Sequence, residues 1–171
     1  MVIWLIGMSG AGKTAIGKEL YKLIKSKKNN VVFIDGDIIR EILGNDVGHT
    51  IEDRKTNAGR VCRICKYLDS QGIDVVCGIL SIFPESQDWN RKNIEDYFEV
   101  YVKVPFEELV RRDSKDLYKN ALNGKIKDVV GVDIDFPEPP SPNLIIENNN
   151  FDTTVSDHAA TIFNHISRKF T

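Results

Sequence analysis

Short apolar runs alternate along the chain with longer stretches whose apolar residues recur every three or four positions. That rhythm marks β-α-β units and a parallel sheet. The runs Val2–Ile6, Val31–Asp35, Asp74–Leu80, Phe98–Val104 and Leu144–Glu147 are the predicted strands. Most carry Val, Ile or Phe on both faces, as strands covered by helices on either side should. Between them, Ala11 to about Ile24 and Ile51 to Gln71 read as helices. Val61, Ile64, Cys65 and Leu68 fall on one face of the second, and Gly72 is its stop. From Thr153 onward Val155, Ala159, Ile162, Phe163 and Ile166 repeat at helical spacing. That stripe is expected to pack on the sheet, with a homodimer contact as the alternative. The pattern therefore predicts one α/β domain over residues 1–171, a parallel sheet of about five strands flanked by helices.

One stretch breaks the rhythm. From Asp113 to Asn143 the chain is polar, holds four of its six prolines, and shows a helical pattern only at Leu117–Leu122. A long irregular segment inside a compact domain is either a functional lid or a surface insertion. Lys115, Lys119, Lys125 and Lys127 favour the lid, because lysines brought down on closure reach phosphates.

Composition narrows the class. With 171 residues the chain buries roughly 70% of its unfolded surface in one core. A net charge of −2 provides no basic field to recruit nucleic acid. Nothing approaches the ~18 consecutive apolar residues of a membrane span. Val2–Ile6 is too short for a secretory signal core and runs straight into a glycine-rich motif. Three cysteines without such a signal point to a reducing cytoplasm. Cys62 and Cys65 lie mid-helix with no second pair, and a structural zinc needs four ligands, so they read as core, as does Cys77. His158 and His165 read as surface or packing residues of the last helix.

The strongest local signal is Gly7-Met-Ser9-Gly10-Ala11-Gly12-Lys13-Thr14, a full phosphate-binding loop between a predicted strand and a predicted helix. Its glycines let consecutive backbone N–H groups turn inward around a polyphosphate, and the helix beginning there adds its positive end. Lys13 supplies a charge for the β and γ oxygens, and the Thr14 hydroxyl is a Mg²⁺ ligand. ATP with Mg²⁺ is the expected pair. The guanine signature Asn-Lys-x-Asp of a GTPase does not occur. Asp128-Val-Val-Gly131 matches a switch-type Asp-x-x-Gly but lies in the proline-rich segment rather than at a strand end. A small kinase with a lid fits the length.

The second strand ends in Asp35-Gly36-Asp37, followed by Arg40. Ligands of open parallel sheets bind beyond the carboxyl ends of the strands, which brings both carboxylates near the phosphate loop. There a carboxylate takes the proton of an acceptor hydroxyl or holds Mg²⁺ through water. For Asp37 the competing reading is a helix cap.

With these residues in view the chain resembles the adenylylsulfate kinase family. The resemblance rests on Gly-x-Ser-Gly-Ala-Gly-Lys-Thr, Asp35-Gly-Asp37-x-x-Arg40 and Asp53-Arg54-Lys-x-Asn57. It continues through Arg112-Asp113-x-Lys115-x-Leu117-Tyr118-Lys119-x-Ala121, Gly131-Val-Asp133 and Glu138-Pro-Pro. It implies a P-loop fold and transfer of the γ-phosphoryl of ATP to the 3′-hydroxyl of adenosine 5′-phosphosulfate. It makes Asp35 the leading candidate for base or Mg²⁺-organising carboxylate, with Asp37 beside it. Arg40, Arg54 and Asn57 would hold the acceptor's 5′ phosphate and its substituent, a task suited to the bidentate guanidinium fork. Lys115 would close over the acceptor, Ser81 would contact it, and Arg112 would lie along the ATP base. Relatives often pair as dimers.

The departures from the family pattern fall in one place. The family stacks the acceptor adenine between two phenylalanines; this chain has His49 at one position and Val129 at the other. The Phe-Ile-Ser-Pro segment is Ile79-Leu80-Ser81-Ile82, and the Arg-Arg after the asparagine is Gly59-Arg60. Stacking is worth ~1–3 kcal/mol per base. Loss of both partners with the phosphate-handling residues kept reads as a change of nucleobase. A pyrimidine is smaller, and imidazole both stacks and hydrogen-bonds. The family has a branch that phosphorylates the 3′-hydroxyl of cytidine 5′-diphosphoramidate, on the route that decorates bacterial capsular polysaccharide. That substrate is favoured over adenylylsulfate. A nucleotide-binding regulatory switch is the rival from another class, and it has no use for an acceptor site.

Overall fold

The computed structural model describes residues 1–113, 115–149 and 152–169. Ser114, Asn150, Phe151, Phe170 and Thr171 lie outside the described residues. The strands are β1 (Val2–Ile6), β2 (Val31–Asp35), β3 (Asp74–Ile79), β4 (Tyr97–Lys103) and β5 (Leu144–Glu147). The helices are α1 (Lys13–Lys25), α2 (Gly36–Ile42), α3 (Ile51–Ser70), α4 (Pro84–Asn93), α5 (Phe106–Arg112), α6 (Leu117–Leu122) and α7 (Val155–Ile166). Among the described residues the five strands form one parallel sheet in the order β2-β3-β1-β4-β5. Among the described residues, no helix is long and apolar enough to cross a membrane.

Alternation along β1 splits the core in two. Ile3 and Leu5 face one layer, where Ile16, Leu20 and Ile24 of α1 meet Ala159, Ile162 and Ile166 of α7. Val2, Trp4 and Ile6 face the other, where Ile39 of α2 meets Val61, Cys62 and Cys65 of α3. Ala159, Ile162 and Ile166 of the stripe are therefore core, with Phe163 packed against them and α7 lying on α1, whereas Val155 in the first turn is exposed. All three cysteines are buried and free. Burial pushes the Cys62 thiol up to about 12 and Cys77 well above its ordinary value, which leaves both unreactive.

Strand order fixes where a ligand can sit. The chain leaves β1 toward β2 on one side of the sheet and leaves β3 toward β4 on the other. The carboxyl ends of β1 and β3 therefore open onto a crevice at the switch point. Gly7 follows β1 so closely that a Cβ there would stand 2.6 Å from the Val102 carbonyl oxygen, which only glycine avoids.

The predicted boundaries move in places. The first helix begins at Lys13 instead of Ala11, because Gly12 caps it with φ +98°, a left-handed value that suits glycine. β4 runs one residue earlier than the predicted Phe98–Val104, and β3 stops at Ile79. Two helices, α4 and α5, have no counterpart in the sequence reading. The side chains that α4 buries are Gln87 and Asn90, so no apolar stripe announces it, and Pro84 opens its first turn.

Candidate active site

A cleft of about 660 Å³ opens at the switch point. Ser9, Gly10, Lys13 and Thr14 line it from the loop after β1, Asp35 and Asp37 from the end of β2, and Arg54 and Asn57 from α3. Arg40, His49, Ser81, Arg112, Lys115 and Val129 complete the predicted set within the same cleft. Gly7, Ala11 and Gly12 shape the loop without lining the cleft. The residues predicted for the donor and those predicted for the acceptor thus share one crevice.

The phosphate loop is tied down from within and from outside. Its Met8 carbonyl accepts from Lys13 Nζ at 2.8 Å and from the Ala11 N–H at 3.2 Å. The Ser9 carbonyl accepts from the buried Tyr118 hydroxyl at 2.7 Å. Burial pulls the Lys13 ammonium down to about 8, although Asp37 and Asp35 oppose the shift. Two consequences follow for pH. The folded value lies below the unfolded one, so between pH about 8 and 10.5 this group alone makes the ligand-free fold more stable as pH rises. A triphosphate needs the charged form, so its affinity is expected to fall about tenfold per pH unit above about 8. Titrating Mg·ATP into the protein from pH 7 to 9.5 checks this, and a flat profile would overturn it.

Two carboxylates follow β2 with different surroundings. Asp35 Oδ1 accepts from the N–H groups of Asp37 at 3.1 Å and Ile38 at 2.9 Å, which makes Asp35 the N-cap of α2. The reading of Asp37 as the cap is thereby corrected: Asp37 stands inside the first turn, its side chain 87% exposed and 3.3 Å from Arg40. Hard oxygen donors from Asp35 and Thr14 on one wall suit Mg²⁺, which takes one or two carboxylates and completes its shell with phosphate and water. Among the described residues no group of three or more His, Cys, Asp or Glu forms a metal cage.

The opposite wall carries two guanidiniums. Arg40 Nη1 reaches the Gly36 carbonyl at 3.2 Å and its Nε the Gly48 carbonyl at 3.3 Å. Arg54 donates to the carbonyls of His49 at 2.7 Å and Asp128 at 2.9 Å. Burial and the neighbouring Arg40 hold Arg54 below the ordinary guanidinium value without removing its charge. Two guanidiniums braced mainly by neutral carbonyls keep most of their field for a ligand. Asn57 is buried; its Nδ2 donates to the Gly36 carbonyl at 3.2 Å, while its Oδ1 meets no donor among the described residues and offers an acceptor.

His49 is exposed at the rim, and burial together with Arg40 and Arg54 lowers its pKa, favouring the neutral ring. Val129 is buried beneath the cleft in a tight turn where Asp133 accepts from the Asp128 and Val129 N–H groups. The Ser81 hydroxyl is engaged by Trp4 Nε1 at 3.3 Å and Gln87 Nε2 at 3.4 Å, and Ser81 itself has φ +54°. Arg112 is bound to Glu108 at 2.6 Å. Tyr118, to which the sequence alone assigns no role, hooks α6 onto the loop.

A parallel sheet in this order, a phosphate cradle at its switch point and a guanidinium pocket facing it define a P-loop kinase of small molecules. Residues 1–147 match the model of the adenylylsulphate kinase family, and the chain belongs to that family. It is therefore an ATP-dependent enzyme that phosphorylates a nucleotide 3′-hydroxyl, and the regulatory-switch reading falls. Cytidine diphosphoramidate kinase of Campylobacter jejuni is 42% identical over 148 residues, covering 86% of either chain. Adenylyl-sulfate kinase of Clostridium kluyveri is 37% identical over 150 residues, covering 87% of this chain and 75% of that one. The Mycobacterium tuberculosis APS kinase in complex with AMPPNP and APS superposes with a TM-score of 0.87 at 27% identity, covering 97% of this chain and 96% of that one.

Proposed function

We propose that this kinase transfers the γ-phosphoryl of ATP to the 3′-hydroxyl of cytidine 5′-diphosphoramidate, on the route to phosphoramidate-decorated capsular polysaccharide. One observation carries the reading: the arginines, Asn57 and both aspartates share the cleft, while the two base-stacking positions within it hold His49 and Val129. A neutral imidazole offers one donor and one acceptor to a base edge, which phenylalanine cannot. The similarity to the Campylobacter jejuni cytidine diphosphoramidate kinase supports the same substrate.

The chemistry is positioning and charge neutralisation. The loop amides and Lys13 hold the β and γ oxygens. Mg²⁺, held by Thr14 and through water by Asp35, would neutralise charge on the transferring phosphoryl. Arg40 and Arg54 grip the acceptor's 5′ diphosphoramidate, and Asn57 Oδ1 accepts from a sugar hydroxyl. Asp37, open to the cleft, orients the 3′-hydroxyl and takes its proton as the P–O bond forms. The 113–143 segment acts as a lid: Lys115 closes over the acceptor, and water is kept from the γ-phosphoryl. Arg112 lies along the ATP base.

Purified protein in a coupled ADP-release assay tests this. Expected is a kcat/KM for cytidine 5′-diphosphoramidate at least tenfold above that for adenosine 5′-phosphosulfate. Equal or better turnover of adenosine 5′-phosphosulfate would overturn the cytidine assignment.

A further inference from the structure

We infer that Asn148, oriented by His158, is a positioning residue for the triphosphate: it sets the direction of a phosphate-loop amide from behind the loop. Asn148 follows β5, and its own N–H donates to the Lys103 carbonyl at 2.9 Å, which fixes its backbone to the sheet. From there Asn148 Nδ2 donates to the Ala11 carbonyl at 2.9 Å. In a trans peptide the carbonyl and the next N–H point in opposite directions. Holding the Ala11 oxygen toward Asn148 therefore aims the Gly12 N–H the other way. A Cβ on Gly12 would stand 2.7 Å from Asn148 Nδ2, so amide and loop are in direct contact.

The amide of Asn148 has two ends; the Ala11 carbonyl only accepts, so the NH₂ end faces the loop, and His158 holds the other end. His158 Nε2 lies 3.2 Å from Asn148 Oδ1. That oxygen only accepts, so the tautomer with its proton on Nε2 donates to it and braces the amide with its NH₂ end on Ala11. His158 is buried in the first turn of α7, whose start is locked by a reciprocal Thr154–Asp157 capping box. Two rigid elements thus converge on one loop carbonyl. Neither residue lines the cleft, so neither touches the transferred group.

The inference rests on ATP binding alone and is independent of the acceptor. The probe is Mg·AMPPNP, whose affinity is measured by calorimetry, with the thermal midpoint recorded beside it. Asn148→Asp keeps the shape and replaces the donor with an oxygen facing an oxygen; a Kd at least tenfold weaker is expected. His158→Leu should weaken binding comparably, whereas His158→Gln, which retains an N–H donor, should stay within about threefold of the native protein. Asn148→Ala serves if the Asp variant fails to fold. The double variant Asn148→Ala, His158→Leu should be no weaker than Asn148→Ala alone, because the histidine acts only through the asparagine. KM for the acceptor should not move. An unchanged AMPPNP affinity in Asn148→Asp or Asn148→Ala, a lowered midpoint with native affinity, or His158→Gln as weak as His158→Leu would each overturn the assignment.

Discussion

Asp37→Asn is expected to lower kcat by two to four orders of magnitude and to leave the thermal midpoint within about two degrees, the signature of a group used in chemistry and not in folding. The Asp37 side chain is 87% exposed and, among the described residues, pairs with Arg40 at 3.3 Å. The carboxylate stands in water and its attraction to the largely buried Arg40 is screened, so stability has little to lose. Asp35 should behave differently, because its carboxylate caps α2 through two N–H groups. Asn caps as well as Asp, so Asp35→Asn isolates the loss of charge, whereas Asp35→Ala loses the cap too. The Ala change should cost about 1 kcal/mol, or about 2–4 °C for a chain of this size. Stopped-flow phosphoryl transfer at saturating substrates, with calorimetric unfolding of the same samples, separates the two. If Asp37→Asn keeps more than a tenth of native kcat while Asp35→Asn is inert, the proton acceptor is Asp35.

What the chain discloses before folding follows from how local each signal is. The phosphate loop is eight consecutive residues whose job is done by their own backbone, so it reads directly from the sequence. The arginine pocket is legible only through a family pattern, since Arg40 and Arg54 reach it from α2 and α3 and are braced by carbonyls of a third segment. Helix α4 hides because it buries amides where a stripe of Leu or Ile would have announced it. The division of labour between the aspartates is invisible one-dimensionally: Gly36 opens the helix, so the carboxylate before it becomes the cap. Long-range tethers leave no trace at all. Asn148 is 137 residues from Ala11 and Tyr118 is 109 from Ser9, and neither contact has a spacing to betray it.

The double change His49→Phe, Val129→Phe is expected to move the preference toward adenosine 5′-phosphosulfate by about one to four orders of magnitude. The two positions are not equivalent. His49 sits exposed on the rim beside Arg40 and Arg54, so a ring of similar size replaces it without displacing neighbours. Val129 is buried but borders the cleft, so a larger side chain can extend into open volume instead of the packed layer behind it. Each restored stack is worth ~1–3 kcal/mol, and 1.4 kcal/mol is tenfold in the specificity ratio. His49→Phe alone also removes the group that hydrogen-bonds the base edge, so it should lower kcat/KM for the cytidine substrate, whereas Val129→Phe alone should mainly raise that for the adenine one. The phosphate grip is untouched in every variant, so maximal turnover with the better substrate should stay within a few-fold of native. Ratios of kcat/KM for the two nucleotides across the four proteins decide the matter. A ratio that stays put in the double variant would mean that the base is held elsewhere, and that His49 and Val129 do not set the acceptor.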